Sequence, residues 1–349
     1  MSIEIKKEGY KRKLETIKEK VEQIQNQSRE PVAPYPPHGT SHSKKLEELL
    51  DVLFPGEESE KVNEVFSDKE KFLLFASIWL HDVGMYPQLF PDDPDPNTWD
   101  TEDLEEWDRE ILRKTHHERS KRYILEKWKD LGLENGEARD LALICKHHRK
   151  SQKLPESKYV DEKTRLIIAY LRLLDALHIP NRPSKGELSK LRTYLAYGMD
   201  PVSKFHWYKS FYVSGIESSP DELKLTIKFV LPEEWKNKEE KIFPLIRAIE
   251  TDIRDELDAM KDILMESKVK YDLPAYIYVD HSFKLTPLTS QEVDELESLL
   301  AIIVLFDPTI SPNSGELINI VLDGLERCVD IRAYPKSPAA LKVIHEHAK

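Results

Sequence analysis

FLLFASIWLHDVG, residues 72–84, is the stretch on which the reading of the chain turns. Phe72 to Leu80 is an apolar helix. The pair His81-Asp82 ends it, and Val83-Gly84 is a helix stop. An imidazole and a carboxylate therefore sit at the end of a helix whose other side chains belong in a core.

The same arrangement repeats to either side. Five amphipathic helices are expected at about 40–54, 69–84, 103–129, 136–149 and 161–179. Each carries a histidine or an aspartate on its apolar face. His42 precedes Leu46, Leu49 and Leu53. His116 shares a stripe with Ser120 and Ile124, His148 with Leu141, Ile144 and Cys145, and Asp175 with Ile168 and Leu171. Side chains three, four and seven apart share a helix face, so these polar groups point where the leucines point. One buried histidine is usually a hydrogen-bonded core residue. Two buried acids among several buried histidines are costly without a common partner. A divalent cation is the natural one, and mixed imidazole and carboxylate donors suit Mn, Fe, Co, Ni or Zn, with Mg as the alternative.

Further out, residues 3–27 read as one polar helix with Leu14, Ile17, Val21 and Ile24 at helical spacing, packed on the main body. Pro31 to Pro37 is a stiff connector, and Asn181 to Gly186 a loop. Beyond residue 200 the character changes. His206–Val213 and Leu223–Leu231 read as a hairpin around Ser218-Ser219-Pro220-Asp221. A charged helix follows at Phe243–Ser267, then a strand at Ala275–Val279, helices near 290–305 and 314–327, and a strand at Val329–Ala333. The fold class expected is mostly α: an N-terminal helix (1–30), a helical bundle (31–200) and a smaller α+β region (201–349).

Composition narrows the classes. The chain has 349 residues and a net charge of -12, which disfavours non-specific binding to duplex nucleic acid. The two cysteines, Cys145 and Cys328, give no disulfide framework and fit a reducing cytosol. No apolar run is long enough to span a bilayer, and the first residues lack the apolar core of a secretory signal. A cytoplasmic protein is the expectation.

A His-Asp dipeptide alone carries no weight. In order and spacing, however, HGTSHSKKLEELL (38–50), FASIWLHDVGMY (75–86), RKTHHERSKRYIL (113–125), ALICKHHRK (142–150) and LRLLDALHIPNR (171–182) resemble the HD-domain superfamily of metal-dependent phosphohydrolases. The resemblance covers about residues 31–200. It implies His42, His81, Asp82 and Asp175 as metal ligands, with Asp82 able to bridge two metals. Members with a second metal place further histidines on the third and fourth helices, where His116 and His148 fit; the alternative is that these two contact substrate phosphate. His117 and His147 are a step round the helix. His38, one turn before His42, is either an accessory residue or a loop histidine of no special role.

The reaction implied is hydrolysis of a phosphoester, in a nucleotide or related small phosphate compound, by a metal-activated water. Asp82 is then catalytic, with Arg149 and Lys150 as phosphate contacts; a basic helix end complementing the macrodipole is the alternative for those two. Two other readings stand beside it: an HD-type nuclease acting on single-stranded nucleic acid, and a non-catalytic regulatory module. A homo-oligomer is compatible with the amphipathic helix at 243–267. Between Asp92 and Glu110 lie ten acids and one arginine, read as a solvated lid and helix start. Two departures from the family pattern stand out. His178 occupies a position where many relatives carry a second acid, and no GYP-like signature follows His148. The C-terminal third resembles the extension attached to HD domains in some prokaryotic conflict-system proteins.

Overall fold

The computed structural model describes residues 2–27, 39–86, 88–93, 106–179, 212–236, 240 and 243–287. Among them are eight α-helices and three strands. The fold is mostly α, with a small sheet in the C-terminal part.

The first helix, α1 (Glu8–Gln27), starts later than expected. Residues 2–7 are non-helical: Ile3 and Ile5 are buried, and the amides of Lys6 and Lys7 donate to the Asp68 carboxylate at 3.0 and 2.7 Å. That anchorage competes with the helix for the same backbone groups. Helix α2 (Thr40–Leu53) buries His42, Leu46, Leu49, Leu50 and Leu53 on one face. A short helix, α3 (Glu57–Val65), follows and was not expected from its charged sequence. Helix α4 (Asp68–Leu80) begins at a capping box between Ser67 and Glu70. It touches α1, α2, α6 and α7, which is why every side chain from Phe72 to Leu80 except Ser77 is apolar.

The second expected helix does not continue to residue 84. It ends at Leu80, and Val83–Met85 makes a single 3-10 turn. The reason is the close passage of helix α5 (Glu106–Lys127). A Cβ on Gly84 would stand 2.0 Å from the His116 carbonyl oxygen and 2.7 Å from the Ser120 nitrogen. Glycine is therefore required sterically. The Gly84 amide donates to the Ser120 hydroxyl at 2.8 Å, which donates onward to the His81 carbonyl at 2.6 Å. Arg119 donates to the carbonyls of Gly84 and Tyr86, both at 2.9 Å. Arg119 also pairs with Asp93, and Arg122 with Asp92. The first two acids of the acidic run thus tie a loop to α5.

Helices α6 (Asn135–His147) and α7 (Glu162–Leu177) complete the bundle. The sheet has the order β1 (Val213–Ser219), β2 (Lys224–Pro232), β3 (Tyr278–Thr286). The expected hairpin is present as β1 antiparallel to β2; among the described residues its first strand covers Val213–Ser219, and residues 206–211 of the expected strand lie outside them. VSGIESS has little strand propensity of its own, and pairing with the alternating Leu225, Ile227, Phe229 and Leu231 of β2 decides it. Strand β3 pairs parallel to β2, so the long helix α8 (Phe243–Tyr271) is the crossover between them. The expected strand at 275–279 lies three residues early. Ala275 and Tyr276 are buried ahead of the strand, and the Tyr276 hydroxyl donates to the Leu53 carbonyl at 2.6 Å.

Helix α8 packs on α7. At their contact the buried Arg172 donates to the buried Glu256 at 3.0 and 2.6 Å, and to the Gln152 carbonyl at 3.2 Å. The proline connector, the loop at 181–186, Cys328 and the helices and strand expected beyond residue 290 lie outside the described residues, as does His38.

Candidate metal centre

Five helices contribute to one cluster. His42 stands in the first turn of α2, His81 and Asp82 just past the end of α4, His116 in the middle of α5, His148 at the end of α6 and Asp175 in the last turn of α7. His42, His81, Asp82, His116 and His148 are buried, and Asp175 is half-buried.

The distances divide the cluster in two around Asp82. Its Oδ2 lies 3.4 Å from His81 Nε2 and 3.7 Å from His42 Nε2. Its Oδ1 lies 3.3 Å from His116 Nε2 and 3.6 Å from His148 Nε2. Asp175 Oδ1 adds to the first half, 3.4 Å from His42 Nε2 and 3.9 Å from His81 Nε2. Within each half the imidazoles face one another, His42 and His81 at 3.1 Å, His116 and His148 at 3.0 Å. Metal–nitrogen bonds of about 2.1 Å put adjacent ligand atoms about 3.0 Å apart in an octahedron and about 3.4 Å in a tetrahedron. Five of the eight spacings, 3.0–3.4 Å, fall in that range, and the other three, 3.6–3.9 Å, lie just beyond it.

The backbone fixes which ring nitrogen faces inward. His81 Nδ1 lies 3.0 Å from the Ile78 carbonyl, and His148 Nδ1 2.5 Å from the Cys145 carbonyl. A carbonyl only accepts, so both rings carry hydrogen on Nδ1 and present the Nε2 lone pair to the cluster. Lone pairs and two carboxylates converging on one place are the donor set of a cation. The side chains also disagree electrostatically without one. Burial opposes charge on His81, but Asp82 and Asp175 push it up to about 9. His148 is pushed down to about 3 by burial and by His81 and His116. Asp175 is held well below the usual carboxylate range, where His42 and His81 outweigh burial.

The structure therefore brings together all six residues expected at a metal site. Arg149 and Lys150 have other partners. Lys150, exposed, lies 3.0 Å from Asp255 of α8, while Arg149 donates to the Lys114 carbonyl. His147 turns away, its Nδ1 2.8 Å from the Lys153 carbonyl. His117 is buried, and burial, His116 and Arg149 depress it to about 4. Sequence reasoning did not find the roles of Gly84, Ser120 and Arg119, which lock the turn bearing His81-Asp82 onto α5. From the sequence Gly84 reads only as part of a helix stop, and Ser120 only as a neighbour of His116 on one helix stripe. His178, flagged only as a departure, lies 2.6 Å from His42, Nδ1 to Nδ1. A smaller group, Glu250, Asp280 and His281, lies on α8 and β3, where a His281–Glu250 hydrogen bond accounts for the proximity.

Residues 28–259 match the HD-CE family model. The match runs past residue 200, through β1 and β2 and into α8. No curated protein matches the chain.

Proposed function

Since the chain belongs to HD-CE, an HD-domain family, we propose that it is a metal-dependent phosphohydrolase acting on a nucleotide or related small phosphoester. The observation that carries this reading is the shared carboxylate of Asp82, with one oxygen turned to each pair of histidines. His42, His81, Asp175 and Asp82 Oδ2 would hold one cation. His116, His148 and Asp82 Oδ1 would hold a second. Bound divalent cations supply Lewis acidity, activating water and neutralising phosphate charge.

The chain's own residues do the positioning. Ile78 and Cys145 aim His81 and His148 through their carbonyls. The Ser120–Gly84 lock sets the Asp82 carboxylate between the two halves. Arg149, beside His117 on the α5–α6 side, is the cation we assign to substrate phosphate. Lys150 would have to exchange its Asp255 partner for phosphate. The catalytic unit falls within residues 31–200, and the α+β region supports it from behind α7. Among the described residues no helix is long and apolar enough to cross a membrane.

The test is metal content of the purified protein, followed by a phosphoester panel in Mn, Ni, Co and Mg beside labelled single-stranded DNA and RNA. Two metals per chain and turnover of a nucleotide or small phosphoester are expected. Cleavage of single strands alone would favour the nuclease reading, for which the net charge of -12 gives least support. Metal-loaded protein inert on every substrate would favour a regulatory module.

A further inference from the structure

His81 and His148 have their outward-facing nitrogens fixed by the carbonyl three residues earlier in the chain. At His42 the group facing Nδ1 is a side chain, that of His178. His42 is the third residue of α2, at the helix start, where the Gly39 carbonyl three residues before it accepts its backbone amide at 2.9 Å. Its ring needs an acceptor on the remote side, because Nε2 is turned to His81, Asp82 and Asp175.

That acceptor comes from another helix. His178 caps the C-terminus of α7, its amide donating to the Leu174 and Asp175 carbonyls. The two rings meet edge-on, with centroids 4.5 Å apart, and the Nδ1 atoms are separated by 2.6 Å. This spacing is below the roughly 3.0 Å between neighbouring ligand atoms on one metal, so the pair is a hydrogen bond and not two ligands of one ion.

We infer that His178 is the positioning residue for His42: it accepts the Nδ1 hydrogen of His42 and thereby fixes His42 with its Nε2 lone pair directed into the cluster. The inference rests on the metal-centre reading above. His178 takes the place that a backbone carbonyl fills for His81 and His148. In doing so it couples the start of α2 to the end of α7, the two helices that give His42 and Asp175 to the same half of the site. A partner of this kind fixes tautomer and ring orientation, and losing it typically weakens metal binding about 10–100-fold.

The experiment titrates Zn2+ into metal-stripped full-length protein in competition with a chromophoric chelator. It compares wild type, His178→Ala, His178→Asn and His116→Ala, with the urea midpoint of each metal-stripped protein as a check on folding. In His178→Asn the side-chain oxygen occupies the position of Nδ1, one bond beyond Cγ, and can accept the same hydrogen. Expected are a loss of about 10–100-fold in affinity at one of two sites in His178→Ala, and affinity within a few-fold of wild type in His178→Asn. His116→Ala should weaken the other site. Wild-type affinity in His178→Ala overturns the inference and leaves the metal reading standing. Equal losses in the Ala and Asn variants also overturn it, since they show that the ring and not its acceptor matters. A wild-type protein that takes up no Zn2+ overturns the metal reading and the inference with it.

Discussion

Asp82 is the residue on which both halves of the cluster depend, since each of its oxygens faces a different pair of imidazoles. Asp82→Ala should therefore lose both metals, not one, and hydrolysis should fall at least about 100-fold. Metal analysis and turnover of the same preparation check this; a variant that keeps one tightly bound metal would contradict the shared role. Asp93 gives a prediction of another kind. Burial raises its pKa, but Arg119 and the amides of Leu89 and Phe90 outweigh burial and hold it below its ordinary value of 3.8. A carboxyl depressed in the folded state adds stability that is fully present above the unfolded value and lost as pH falls through the folded one. Stability should thus decline below about pH 4. Asp93→Asn should cost about 2 kcal/mol at pH 7 and less at pH 3, as read from urea midpoints at the two pH values. The six clustered residues were legible one by one, because each interrupts an apolar stripe. The His42–His178 contact was not, since position 178 lies 136 residues on and nothing local marks it as a partner.

At the level of elements, the α7–α8 contact is the informative one. Arg172 and Glu256 are both buried, and burial leaves the Glu256 pKa raised even with Arg172 beside it. Removing one member strands the other. Glu256→Ala should destabilise by about 3 kcal/mol or more, whereas the double replacement Arg172→Leu with Glu256→Leu should recover most of that loss. Denaturation midpoints of the single and double variants test the pair, and additive losses would count against it. Neither partner was singled out from the sequence, where Arg172 reads as an ordinary charged residue of an amphipathic helix. The bundle helices were legible within a few residues, α2, α6 and α7 by their apolar period and α4 by its unbroken apolar run from Phe72 to Leu80. Helix α3 was not, because in EESEKVNEV only Ser59 and Val62 are buried. Strand β3 was placed early because its outer part alternates weakly, Asp280, His281 and Lys284 being exposed or half-buried.

For the whole molecule, a cation held by five helices should tie their separate stabilities together. A ligand that binds only the folded chain, at about 1,000 times its Kd, adds about 4 kcal/mol, or roughly 5 °C in Tm for a chain of this size. Chelation should lower the Tm by that amount and Zn2+ or Mn2+ should restore it; a Tm indifferent to both would show that the cluster takes up no cation.

The crossover through α8 also sets an order of events during synthesis. Emerging from the ribosome, α7 precedes its partner Glu256 by 84 residues, about four to seventeen seconds of translation at common rates. Over that interval Arg172 has no Glu256 to meet it, and the face of α7 that α8 will cover stays open to water or a chaperone. Asp175 lies one turn beyond Arg172, so the last acid of the cluster stands on a helix that α8 braces only later. The bundle is thus finished from its C-terminal side, and a chain halted before residue 256 would carry the cluster residues without the brace behind them.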